Sequence, residues 1–244
     1  MWGNEEKTKE RIVNYWEKRS ESFLDQRRKE LHSPLAERWM KEILPWIPKK
    51  KEIKILDVGC GAGFFSILLA HMGYEVTGVD LVGGMIESAK ILASEEVVFC
   101  SFYQMDAEHL AFEDASYDVV IARNLTWTLP DAMQGYREWI RVLKNGGILM
   151  NIDANYGNSN FEQTKELPKD HAHSKLGNDM MHECEAIKQE LRISTHDRPK
   201  WDIQTLQEFG MKECQADVTI SERIYLEKDE FYNPTPLFLI TAKK

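Results

Sequence analysis

Three aspartates and a run of glycines carry the chemistry that can be read in this sequence. Asp57 stands two residues before Gly59, and Gly59, Gly61 and Gly63 alternate through Asp57-Val-Gly-Cys-Gly-Ala-Gly63. Glycines so placed let backbone N–H groups come close to a ligand, because no Cβ intervenes. The spacing is G-x-G-x-G, not the G-x-G-x-x-G of a dinucleotide site. A carboxylate at 57 repels a pyrophosphate and suits a ligand whose nearest group is a cation, such as an amino acid's ammonium. Asp80 lies 23 residues beyond Asp57, and Asp106 comes later still. An acid at 80 can accept both hydroxyls of a ribose in a bidentate arrangement. NAD enzymes use the same device, so Asp80 alone does not discriminate. Leu81 follows directly, where it can pack on a ribose or a base.

The elements that must position these acids alternate in type. Residues 53–58 are β-rich and apolar, and they predict a strand that ends in the glycine turn. A helix over 63–72 stops at Gly73. A strand over 75–79 ends at Asp80, a helix covers 84–93, and a strand over 97–103 precedes Asp106. A strand over 117–122, a helix over 131–143 and a strand over 148–153 complete the run. Such alternation predicts an α/β fold with a parallel, doubly wound sheet, whose ligands bind outside the carboxyl ends of the strands. Upstream, Ile12, Trp16 and Phe23 predict one helix over 8–30. A second helix starts at Ser33-Pro34, with Ser as N-cap and Pro at the first position, and ends at Pro45 and Pro48. Downstream, 155–200 is polar and irregular, with a helical stretch at 178–192. A helix over 201–210 and strands over 212–225 and 236–242 close the chain.

The glycine motif with Asp57, and with Asp80 and Asp106 at successive strand ends, resembles the class I S-adenosylmethionine-dependent methyltransferases, of the small-molecule type. The likeness covers residues 10 to 156 and implies one domain over 1–244. Its expected parts are an N-terminal helical lid (1–48), a cofactor-binding core (53–153), a lid or acceptor insertion (154–200) and a C-terminal helix and hairpin (201–244). It implies a Rossmann-like sheet of seven strands, mostly parallel, closed by an antiparallel hairpin. It also assigns Asp57, Gly59, Gly61 and Gly63 to the methionine end of the cofactor, S-adenosyl-L-methionine, and Asp106 with the Ala107 N–H to the adenine. Arg123 and Asn124, in the segment that lies under the methionine in this family, are expected against the cofactor carboxylate and beside it. Tyr15 and Trp16, in an N-terminal segment that folds over the cofactor in the family, can face a sulfonium with an aromatic ring. Asp153 and Tyr156, at the end of the 148–153 strand, are the positional candidates for a catalytic base, and alternation puts Asn151 on the same face as Asp153. Trp127 is read either as a wall of the acceptor pocket or as a core residue.

Composition narrows the acceptor. The chain has 244 residues, 43% hydrophobic and 29% charged, with a net charge of −9. An acidic chain with one short basic run, Lys49 to Lys51, lacks the face by which proteins neutralise phosphates, so no nucleic-acid partner is expected. The (Asn/Asp)-Pro-Pro-(Tyr/Phe) signature of enzymes that methylate base or glutamine amides is missing after Arg123. The acceptor expected is a small molecule. A protein or RNA methyltransferase and a non-catalytic S-adenosylmethionine-binding protein are the other readings, and an NAD-dependent dehydrogenase is disfavoured by the glycine spacing and Asp57. Four separated cysteines, no apolar run of membrane-spanning length and no signal-like N-terminus predict a cytoplasmic monomer or homodimer away from membranes. His171, His173, His182, Cys184 and His196 match no closed zinc spacing, so no metal is expected.

Overall fold

A computed structural model describes residues 2–50, 52–161, 167–168, 171 and 177–244. Its centre is a seven-stranded sheet in the order β3-β2-β1-β4-β5-β7-β6. The strands are β1 (Lys54–Val58), β2 (Glu75–Asp80), β3 (Ser101–Gln104), β4 (Tyr117–Arg123), β5 (Leu143–Ala154), β6 (Lys212–Asp217) and β7 (Leu237–Lys243). The first five run parallel. β7 is antiparallel to β5 and to β6, which makes the sheet mixed at one edge only. The expected Rossmann-like topology and closing hairpin are therefore present.

Burial on both faces explains the apolar strands. Ile55, Val119, Ile121 and Met150 face a core shared with α3 (Pro34–Ile43), α4 (Phe64–His71) and α5 (Gly83–Glu95). Leu56, Val58, Val120 and Leu149 face the other core, under α6 (Ala132–Val142) and α8 (Lys200–Glu208). Parallel pairing puts Val58, Asp80 and Arg123 at one edge of the sheet. The N-terminal helices cross that edge. Glu17 accepts a hydrogen bond from Gly84 N at 3.1 Å, and Arg28 pairs with Glu95 at 2.8 Å, both on α5. Arg11 pairs with Glu183 of α7 (Asn178–Glu190) at 2.9 Å.

Several boundaries differ from those expected. The 8–30 helix is two, α1 (Trp2–Glu17) and α2 (Ser20–Leu31). The chain turns at Arg19, whose side chain is buried against the rings of Tyr15 and Trp16, and Ser20 Oγ donates to Glu17 O at 2.9 Å. Strand β3 starts at Ser101, not at 97, because Val97 has φ +54° and Val97 and Phe99 face solvent. The 212–225 strand ends at Asp217, which accepts from Thr219 N (2.8 Å) and Thr219 Oγ (2.7 Å) and turns the chain. Ile220 and Ile224, four apart, then bury one side of the short helix α9 (Ile220–Ile224). The second N-terminal helix starts as expected: Ser33 Oγ accepts from Leu35 N at 3.2 Å, with Pro34 at the first position.

Candidate active site

The carboxyl ends of β1, β2 and β4 open into one cavity of about 240 Å³. Of the residues proposed from sequence, it is lined by Tyr15, Trp16, Asp57, Gly59, Gly61, Asp80, Leu81, Asp106, Ala107, Arg123, Asn124 and Tyr156. Gly63 and Asp153 are not brought to it.

Local folding explains the acidic half. Asp57 is buried near the end of β1 and accepts from Ser66 N (3.0 Å) and Ser66 Oγ (2.7 Å) in the first turn of α4. Burial raises its pKa to about 7, against the lowering effect of those two bonds. Asp80 ties the glycine turn to β2: it accepts from Gly61 N and from Val82 N, both at 2.9 Å, and burial raises it to about 6. Gly59 and Gly61 have φ +66° and +52°, and a Cβ on Gly59 would stand 2.7 Å from Leu125. Gly63 starts α4 from the left-handed region, and its missing Cβ makes room for Ala89 and Phe102, on the core side. Asp106 accepts from Glu108 N (2.9 Å) and from Lys9 Nζ (2.6 Å), and Lys9 also reaches Glu108 at 2.5 Å. Lys9 thus fastens α1 over the third strand end.

The other half is basic and aromatic. Arg123, at the end of β4, pairs with Glu30 of α2 at 2.9 Å and lies over the rings of Phe64, Phe65 and Trp39. Arg27 also pairs with Glu30. Asn124, with φ +54°, accepts from Tyr156 OH at 3.0 Å, and Asn233 Nδ2 donates to the same hydroxyl at 2.7 Å. Burial drives the Tyr156 phenol far above its usual pKa, so it stays protonated and holds Asn124. Trp127, which the sequence left open between pocket and core, lines the cavity with its ring 5.0 Å from Tyr156 and 5.7 Å from Phe161.

Asp153 has a different setting. It is 0% exposed, and its oxygens accept from Trp127 N and Ala154 N and pair with Arg198, each at 2.9 Å. Arg198 also grips Asp202, which accepts from Tyr136 OH at 2.6 Å, and Tyr136 in turn accepts from Asn151 at 2.7 Å. Asn151 and Asp153 do share a face, but that face belongs to a closed internal network. Asp153 is satisfied inside the protein, while Asn151 Oδ1 is left without a partner, which strand alternation alone could not reveal.

Lys9, Arg19, Arg27, Glu108 and Asn233 also line the cavity and were not singled out from sequence; Phe23, read with Trp16 on the N-terminal helix face, lines it too. The only signal for Arg19 and Arg27 was their eight-residue spacing in a helical stretch. His171 lines the cavity too, with Nε2 2.8 Å from Tyr232 O, and burial lowers its pKa. His173 lies outside the described residues. Among the described residues, no group of three or more His, Cys, Asp or Glu is placed to hold a metal, and no helix is long and apolar enough to cross a membrane.

Known proteins share this architecture. The family profile described as "Methyltransferase domain" matches residues 56–151. A methyltransferase of Bacillus subtilis (strain 168) is 35% identical over 125 residues, which are 49% of this chain and 48% of that protein. The ubiquinone biosynthesis O-methyltransferase of Pseudomonas fluorescens (strain SBW25) is 29% identical over 228 residues, 92% of this chain and 85% of that one. The chain thus spans about half the length of the first relative and most of the second. The solved structure of a SAM-dependent methyltransferase from Aquifex aeolicus superposes with a TM-score of 0.57 at 16% identity, covering 89% of this chain and 97% of that one.

The site fits S-adenosylmethionine on its own chemistry. Acids at three strand ends line one cavity, the turn between them has no Cβ at 59 or 61, and two aromatic rings of α1 stand beside it. Arg19 Nε and Arg123 Nη1 are buried without a hydrogen-bond partner, as a carboxylate-binding pair would be before its ligand arrives. Sheet topology, strand-end acids and family profile agree: residues 56–151 match a methyltransferase domain, and the chain resembles the class I S-adenosylmethionine-dependent methyltransferases in fold and site.

Proposed function

We propose that the chain methylates a small acceptor with a flat, largely apolar body. One observation carries this reading: beside the glycine turn the cavity is walled by buried rings, Phe64, Phe65, Trp127, Tyr156 and Phe161. Such faces bind planar apolar groups well and offer little to a polar main chain. The relative named as an O-methyltransferase of ubiquinone biosynthesis supports oxygen as the methylated atom.

When bound, the cofactor supplies a methyl carbon whose leaving thioether is already activated by its positive charge. In this reading Asp57 and the glycine turn hold its amino-acid end, with Arg123 at the carboxylate. Asp80 and Leu81 take the ribose, Asp106 and the Ala107 N–H the adenine, and Tyr15 and Trp16 face the sulfonium. The residues of this chain would hold an acceptor oxygen in line with that methyl carbon and keep water out, and the hydroxyl proton would pass to solvent. Alignment of this kind supplies up to about 7–11 kcal/mol of barrier lowering. Tyr156, kept protonated, contributes by fixing Asn124 and not as a base.

The test incubates the full chain with methyl-labelled S-adenosylmethionine and three acceptor sets: catechols, total RNA and a protein extract. Label recovered in the small catechol fraction supports the reading. Label confined to RNA or protein overturns it. A parallel titration with S-adenosylhomocysteine and NAD checks the cofactor.

A further inference from the structure

We infer that the acceptor carries an anionic group, a carboxylate or a phosphate, seated against Arg27 and Arg123. The inference deepens the proposed function and rests on it. Arg19, Arg27 and Arg123 all line the cavity, and the first two are only 4% and 8% exposed. Burying a guanidinium is costly unless opposite charge meets it. Among the described residues, one carboxylate pairs with these three, Glu30, shared by Arg27 and Arg123. The remaining acids of the cavity are engaged at its other end: Asp57 by Ser66, Asp80 by Gly61 and Val82, and Asp106 and Glu108 by Lys9. Tyr156 and Tyr225 beside the cluster are held neutral by burial, and burial lowers the pKa of His171.

The cofactor carboxylate supplies a second anion, and its ammonium and sulfonium are matched by Asp57 and Asp80. Three guanidiniums are left facing two carboxylates among the described residues, and an acceptor anion supplies the third. Geometry agrees. Arg27 lies over Phe23 at 4.7 Å and over Phe64 at 5.8 Å, and Arg123 lies over Phe64 at 4.7 Å. The two guanidiniums are thus held against one ring before any ligand binds. Arg27 Nε and Arg123 Nη1 are left without partners. Burial and the charges of Arg123 and Arg19 together push the Arg27 pKa down to about 10, against the pull of Glu30. The rings give an aromatic body its face, and the guanidiniums give its anion two donors.

The experiment is calorimetric titration of the full chain saturated with S-adenosylhomocysteine. The probes are benzoate, phenyl phosphate and the neutral isostere benzamide. We expect at least one anion to bind tenfold or more tightly than benzamide, the tighter anion telling carboxylate from phosphate. Arg27→Gln should reduce that preference below threefold while S-adenosylhomocysteine affinity changes less than threefold, and Arg27→Lys should restore part of it. Equal binding of anions and benzamide, no binding of either anion, or anions that displace S-adenosylhomocysteine would each overturn the inference while leaving the cofactor reading intact. Failure of S-adenosylhomocysteine itself to bind would overturn both. The probe comparison on the unaltered chain stands even if the Gln variant does not fold.

Discussion

Around the ends of β1, β2 and β3 the cavity is made of acids and backbone N–H groups. Around the end of β4 it is made of guanidiniums and rings. The first half is local: Asp57, the glycine turn and Ser66 lie within ten residues, and Asp80 reaches back only to Gly61. The second half is assembled from afar, since Arg27, Arg123, Tyr156 and Asn233 come from four separate parts of the chain. A shared cofactor explains a site encoded in one contiguous motif. In the proposed function the second half, drawn from distant segments, is the part that meets the acceptor.

The largest effect we expect separates scaffold from site. Asp153→Ala leaves Arg198 without one of its two buried partners. Breaking such a pair costs about 3–5 kcal/mol, seen as a fall of roughly 10 °C in Tm for a domain of this size. Whatever remains folded should bind S-adenosylhomocysteine normally. A variant that melts like the parent but loses turnover would move Asp153 into the chemistry and break the comparison.

Next in size is Asp80→Ala. Two hydrogen bonds from the ribose to a carboxylate are worth about 1.5–3 kcal/mol each. Titration should show S-adenosylhomocysteine binding weakened by about 100-fold or more, with anion preference on the other side of the cavity unaltered in sign.

The acidic half should also respond to pH. Burial raises Asp57 to about 7 and Asp80 to about 6, both above their unfolded value of 3.8. The folded chain therefore holds more protons than the unfolded chain between those limits, so these groups make stability fall as pH rises from about 4 to 7. A ligand that needs the ionised carboxylates shows the opposite trend. Its affinity should rise from pH 5 to 7.5 by at most about tenfold per unit and per group, then level off. Flat affinity across that range would mean that the ligand does not depend on their ionisation.

The smallest effect concerns Tyr156→Phe. Both hydrogen bonds of the hydroxyl are lost; loss of the one to Asn124, about 0.5–1.5 kcal/mol, should lower kcat/KM for the acceptor by about threefold to tenfold with no change in S-adenosylhomocysteine binding. A bell-shaped pH profile lost in this variant would instead make the phenol a proton carrier.

Legibility follows the same division. Asp57, Asp80 and Asp106 could be found because each follows a short apolar run, and a parallel sheet puts successive strand ends on one edge. Ser33-Pro34 and Asp131 could be read as helix starts because capping is a contact over two or three residues. Asp153 looked like a site acid because nothing within eight residues supplies a counter-charge, and its partner Arg198 is 45 residues away. The 8–30 helix was read as continuous because periodicity registers burial but not direction. The break comes at Arg19, whose side chain is buried against Tyr15 and Trp16, contacts that periodicity does not report.

The sequence by itself determined the alternating fold and the methionine-end turn, since both depend on residue type and short spacing. Tertiary structure alone decided that Arg27 and Arg123 share Glu30 over one ring, and that Tyr156 is pinned between Asn124 and Asn233. The physical reason is that a carboxylate at a strand end is positioned by its own strand. A guanidinium on a lid helix is positioned by whatever the helix packs against.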